Sequence, residues 1–196
     1  MKNIVFDLGG VVFMRDPKKC TEDFLRFFSF VRNEVMPHFW NEYDRGTRSF
    51  EEVKEDLRQW NNCEMAKVEE YLQLAIDKQE PIEATERLIE ELKEAGYKLY
   101  VLSNMSKEFI AFLRQVPVYR HFDGEVVSCE EGVSKPEEGI YRLLLDRYAL
   151  EPRETIFIDD RKENVEAAEK VGIEGFWFNR KDLPGTIQEL RAKLLA

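Results

Sequence analysis

The chain opens on a short apolar run, Ile4-Val5-Phe6, that ends in Asp7 and at once meets Gly9-Gly10. A run of this length closed by a turn signal predicts a buried strand that delivers a carboxylate to a sharp turn. Similar runs recur at Tyr97 to Leu102, closed by Ser103-Asn104, at Gly124 to Ser128, at Thr155 to Ile158, closed by Asp159-Asp160, and at Phe176 to Phe178. Helical spacing fills the gaps. Ala84, Leu88, Leu92 and Ala95 mark a helix from Pro81 to a stop at Gly96, and Ser106 suits the N-cap of the next. Ile140, Leu143, Leu144 and Tyr148 follow Pro136 at a first-turn position, Val165, Ala168 and Val171 run up to Gly172, and a closing helix spans Pro184 to Leu195. Strands alternating with helices predict an α/β fold, a Rossmann-like doubly wound parallel sheet covered on both faces. Ligands of such sheets bind beyond the carboxyl ends of the strands, where Asp7, Ser103 and Asp159-Asp160 fall.

Residues 15–80 break the alternation, because a single crossover helix needs far fewer residues. Their pattern is helical and aromatic, with Phe24, Phe27, Phe28 and Phe30, then Phe39, Trp40 and Tyr43, then Phe50, Leu57 and Trp60. They predict an inserted helical cap on a core made of residues 1–14 and 81–196. Most of the rings are expected to form the cap's own core, and the remainder to wall a pocket facing Asp7.

Composition narrows the function. With 196 residues and 43% hydrophobic content the chain can bury a real core. Its formal net charge of −10, without a dense basic cluster, disfavours nucleic acid and anionic lipid as partners. No apolar stretch approaches the roughly 20 residues of a membrane span. Asp7 also interrupts the opening run before a signal sequence could form, so the cytoplasm is the expected location. Cys20, Cys63 and Cys129 have neither disulfide nor zinc spacing and read as reduced, packed thiols. His121 lies in a turn and has no assigned role.

Asp7, Ser103, Lys135-Pro136 and Asp159-Asp160, in this order and at these junctions, resemble the four motifs of the haloacid dehalogenase superfamily of phosphohydrolases. The resemblance spans nearly the whole chain, with the cap matched loosely. Asp-Leu-Gly-Gly-Val-Val, Val-Ser-Lys-Pro-Glu and Phe-Ile-Asp-Asp-Arg-Lys-Glu-Asn look most like the branch of sugar-1-phosphate phosphatases and the phosphatase domain of epoxide hydrolases. Tyr43-Asp44-Arg45-Gly46, followed by Ser49-Phe50-Glu51-Glu52, is similar to cap segments there. The resemblance implies a magnesium-dependent phosphatase, monomer or homodimer, that hydrolyses a small sugar phosphate-like ester through an aspartyl-phosphate on Asp7. Ser103 and the N–H groups around Asn104 would hold phosphoryl oxygens, and Lys135 would neutralise their charge. Asp7, the Gly9 carbonyl and Asp160 would bind Mg2+, with Asp159 in or near its shell. Asn164 would brace the acidic loop, and Asp160 would help to cap the helix after it.

One position departs from the pattern. Most phosphatases of the superfamily carry a second Asp two residues after the nucleophile, as general acid, and here that residue is Gly9. General acid–base help is typically worth about 10²–10⁴-fold. Its loss favours leaving groups that depart without a proton, so sugar-1-phosphates, aryl phosphates and acyl phosphates are expected over sugar-6-phosphates. His38 is a candidate for a cap-borne acid, although a surface histidine is the commoner outcome there. Hydrolytic dehalogenation of a 2-haloacid by Asp7 is the alternative reaction, since halide leaves unprotonated. A non-catalytic binding protein is the third reading. The pair Asp159-Asp160 favours the phosphatase, because dehalogenases of the superfamily need no metal and typically lack it.

Overall fold

The computed structural model describes residues 1–32 and 35–195. Strand β1 (Asn3–Phe6) alternates its side chains, with Ile4 and Phe6 in one hydrophobic core and Val5 in another across the sheet. Beyond Asp7 the short strand β2 (Phe13–Met14) pairs antiparallel with β3 (Glu80–Pro81), so the chain leaves and returns through a narrow ribbon. Between the two lie α1 (Glu22–Phe27), α2 (His38–Arg45), α3 (Phe50–Asn61) and α4 (Met65–Asp77).

The remaining chain runs α5 (Glu83–Glu94), β4 (Lys98–Ser103), α6 (Lys107–Leu113), β5 (Gly124–Val127), α7 (Ser128–Glu131) and α8 (Glu138–Tyr148). It ends with β6 (Thr155–Asp159), α9 (Lys162–Lys170), β7 (Glu174–Trp177) and α10 (Leu183–Leu194). The five long strands form one parallel sheet in the order β5-β4-β1-β6-β7, as an α/β doubly wound fold requires. β1 is central. Because Phe6 pairs with Val101 on one side and Ile158 on the other, Asp7 emerges between the ends of β4 and β6. Among the described residues no helix is long and apolar enough to cross a membrane.

Several elements begin or end away from where the pattern puts them, for local reasons. α5 starts at Glu83 because Pro81 is held in the ribbon and Ile82 donates to the Val12 carbonyl at 2.8 Å. α8 starts at Glu138 rather than in the turn of Pro136, since the Asn104 amide holds both the N–H and the carbonyl of Lys135, each at 2.8 Å. β5 stops at Val127 because Ser128 opens a helical turn, β7 lies at Glu174–Trp177, and α10 starts at Leu183, capped by the Asp182 carboxylate. Asp160 does not cap α9. The Asp159 carboxylate instead accepts the Arg161 N–H at 2.8 Å. Ser106 stands at the N-cap of α6 without a side-chain cap bond.

The helical segment is built on its rings, which meet edge to face: Phe24–Phe28 at 5.2 Å, Phe27–Tyr71 at 5.1 Å and Phe28–Trp40 at 6.1 Å. Each such pair adds about 0.5–1.5 kcal/mol beyond area burial. Tyr43 to Gly46, at the end of α2, fasten this segment to the sheet side. The Tyr43 hydroxyl donates to Glu108 at 2.7 Å, and the Ser128 hydroxyl donates to the Asp44 carbonyl. Arg45 donates to Ser134 at 2.9 Å and pairs with Glu137, bracketing Lys135. Gly46, at φ +79°, lies so close that an added Cβ would meet the Cys129 carbonyl oxygen at 2.3 Å.

Gly46→Ala therefore combines a left-handed backbone, about 1–2 kcal/mol for an L residue, with a backbone clash. Gly96→Ala serves as the control, because at φ +89° its added Cβ meets nothing within 4 Å. Thermal unfolding is expected to lower Tm clearly more for Gly46→Ala than for Gly96→Ala. Equal losses would mean that the Tyr43–Gly46 segment is loosely seated.

Candidate active site

The ends of β1, β4 and β6 converge on one buried ammonium. Lys135 Nζ donates to Asp7 Oδ1 at 2.7 Å, to Asp159 Oδ2 at 2.7 Å and to the Leu102 carbonyl at 2.9 Å, which uses all three of its protons. Its side chain is 2% exposed, and the Phe157 ring lies 5.2 Å beneath it. Burial works against the charge on Lys135, but Asp159 and Asp7 more than offset it and hold its pKa above the ordinary lysine value.

Asp7 is anchored by its own N–H, which donates to the Ile158 carbonyl at 2.9 Å. Ser103 Oγ donates to Asp7 Oδ1 at 3.2 Å, so two donors fall on the same oxygen. Burial pushes the Asp7 carboxyl up to about 7. Lys135 opposes that rise, while Asp159 and Asp160 add to it. Asp159 is saturated: besides Lys135 and Arg161 N–H, it accepts from Asn164 Nδ2 at 3.1 and 3.0 Å. Asp160 is also raised by burial, against the pull of Arg180, whose Nε lies 3.0 Å from its Oδ2. Oxygens of Asp7, Asp159 and Asp160 all lie within 4.8 Å of one another.

Asp7, Ser103, Lys135, Asp159 and Asp160 thus come together from distant points of the sequence, while Gly9, Gly10 and Asn104 line the cleft over them. Asn104 uses its side chain to clamp the Lys135 backbone. An added Cβ at Gly9 would meet nothing within 4 Å. His38, the candidate cap-borne acid, is on the surface beside Glu42, its side chain 86% exposed. The three cysteines are free thiols.

The cleft, about 1310 Å3, has walls that the motifs do not announce. Phe24 and Phe28 face it from α1 and its end, with the Arg15 guanidinium 6.0 and 5.8 Å over their rings. Arg161, Lys162, Trp177 and Arg180 line the opposite side, where Lys162 lies 4.4 Å over the Trp177 ring. Arg180 follows the strand next to β6, and only the strand order brings it to Asp160.

Residues 1–172 match the family of haloacid dehalogenase-like hydrolases. The chain belongs to this family and is a hydrolase. It is 28% identical over 191 residues to the sesquiterpene phosphatase astK of Aspergillus oryzae, covering 97% of this chain and 95% of that one. Four other curated relatives are longer proteins, of which the chain spans between 10% and 35%. A family enzyme from Bacteroides thetaiotaomicron, in complex with magnesium and inorganic phosphate, has the same fold, with TM-score 0.73, 22% identity and 90% and 93% of the two chains covered. A dehalogenase matches with TM-score 0.78 at 18% identity, over 100% of this chain and 98% of that one.

One further carboxyl lies near the cleft. Burial pushes Asp44 up to about 8, opposed by the Ser106 N–H, Arg161 and the Trp40 indole, with Asp7 adding to the rise. A carboxyl raised from 3.8 stabilises the fold in its neutral form, so its contribution is present at low pH and is lost as pH rises through about 8. Asp44→Asn keeps an acceptor and cannot ionise. Its stability relative to the parent protein should rise between about pH 5 and 8 and then level off. Urea denaturation across that range checks this, and a constant difference would mean that Asp44 is ionised throughout.

Proposed function

We propose that the protein is a magnesium-dependent phosphomonoesterase in which Asp7 attacks the phosphorus of a small phosphate ester. The observation that carries this reading is the double engagement of Asp7 Oδ1 by Lys135 and Ser103, which would leave the other oxygen, Oδ2, to attack. As the Oδ2–P bond forms, the P–O bond to the alcohol breaks, and water then hydrolyses the aspartyl-phosphate to release inorganic phosphate. Lys135, its three protons already engaged, would offset phosphoryl charge as a point cation, and the Ser103 hydroxyl would swing from Asp7 to a phosphoryl oxygen when the ester binds. We take residues 15–80 as the cap over this site.

Three mutually repelling carboxylates suit a divalent cation, and hard oxygen donors suit magnesium. Asp7, the Gly9 carbonyl and Asp160 would hold it. Asp159, already saturated, would act from the next layer by fixing Lys135. Bound magnesium would neutralise phosphoryl charge and let two anions approach.

Asp7→Asn should abolish hydrolysis of phosphate esters, and a single turnover in heavy-oxygen water should place the label in the released phosphate, because water attacks the phosphorus, whereas the carbon ester formed in dehalogenation would place it in Asp7. Asp160→Ala should raise the magnesium concentration needed for activity. The bare Gly9 favours a second reading, dehalogenation. Chelator-insensitive release of halide from a 2-haloacid, with no phosphatase activity, would establish it instead.

The open space at Gly9 supports one further test. Gly9→Asp puts an acid where the leaving oxygen departs, and is expected to raise kcat on poor leaving groups such as sugar-6-phosphates, by up to about 10²-fold. Aryl phosphates should gain little. A uniform loss on all esters would show that the leaving group is protonated from elsewhere.

A further inference from the structure

We propose that the alcohol part of the substrate is a long apolar chain, seated against Met14, Leu25, Phe28 and Met36 while its phosphoryl group meets Asp7. The inference rests on the phosphatase reading and departs from the sugar phosphate expected from the motifs.

The cleft has two unlike ends. Its floor and its far side carry charge, from Asp7, Lys135 and Asp160 to Lys162 and Arg180. Among the described residues, those of positions 13–36 that line the cleft are apolar except for Arg15, whose guanidinium lies over the Phe24 and Phe28 rings and donates to the Ala75 carbonyl at 3.2 Å. A sugar ring needs donors and acceptors along its length, and hydroxyls turned toward this wall would lose their water without replacement.

The apolar surface is also exposed. Five large hydrophobic side chains are exposed among the described residues, and two of them, Met14 at 38% and Trp177 at 43%, line this one cleft. Leu25, Val31 and Met36 add partly exposed surface to the same wall. Apolar surface concentrated in a concave site marks where a ligand covers it. At about 1310 Å3 the cleft exceeds the ~300–1,000 Å3 of common ligand pockets, so a phosphoryl group alone would leave most of it unfilled.

The test uses para-alkylphenyl phosphates from methyl to octyl, below their micelle concentrations. The leaving group stays a phenol of nearly constant basicity, so only the tail varies. Burying each methylene should raise kcat/KM roughly two- to fourfold until the wall is covered. Alkylphosphonates of the same lengths, which cannot be hydrolysed, should inhibit with a parallel slope and so report binding alone. Leu25→Ser and Met36→Ser should flatten both slopes. A flat series, or glucose phosphates hydrolysed better than the octyl ester, would overturn the inference and leave the phosphatase reading standing. Failure to hydrolyse any phosphate ester, with the phosphonates also unbound, would remove both.

Discussion

The buried ammonium of Lys135 is the constraint around which the site is arranged. A charge with 2% exposure is tolerable only when opposite charge and hydrogen bonds replace the water it has lost. Asp7, Asp159 and the Leu102 carbonyl do so, and each comes from a different one of three adjacent strands. Removing the ammonium would leave two buried carboxylates uncompensated, which typically costs about 3–5 kcal/mol. The same contact therefore serves stability and chemistry: it holds three strand ends in register and keeps Asp7 from protonating more than burial already urges.

Placing that ammonium takes groups from both parts of the chain. The Asn104 amide grips the backbone of Lys135 from the end of β4, and Arg45, at the end of α2, holds Ser134 and Glu137 on either side of it. The helical segment is thus not merely laid over the sheet. Through Arg45 it braces the loop that carries the cation, and the tight contact of Gly46 with Cys129 fixes the distance at which it does so.

The sheet was legible because its strands are short apolar runs closed by polar residues, and in a parallel sheet those closures share one edge. Asp7, Ser103 and Asp159 could be read together for that reason alone. Lys135 was located by its motif, but the helix after it was read too early, because nothing in Lys-Pro reveals that the Asn104 side chain holds the preceding backbone. Arg180 was not legible. It reaches Asp160 across the β6–β7 pairing, which periodicity does not encode. The rings of residues 24–40 announced a helical core, but which of them turn toward the cleft depends on how the segment docks, and that is decided by Tyr43 to Gly46.

The bare Gly9 and the apolar wall bear on one another through the energetics of the proposed reaction. An enzyme without a general acid must find transition-state stabilisation elsewhere, and binding energy from non-reacting parts of a substrate is one source, because it fixes the reacting phosphorus against the nucleophile. A sugar phosphate offers little such energy against Met14, Leu25 and Phe28, whereas each methylene of an apolar tail can offer about 0.8 kcal/mol. A few methylenes then match the ~10²-fold at the lower end of what an acid contributes. On this accounting the missing side chain and the hydrophobic cleft would be complementary parts of one site: a remote tail would do part of the work that a second carboxylate at position 9 does in most phosphatases the chain resembles.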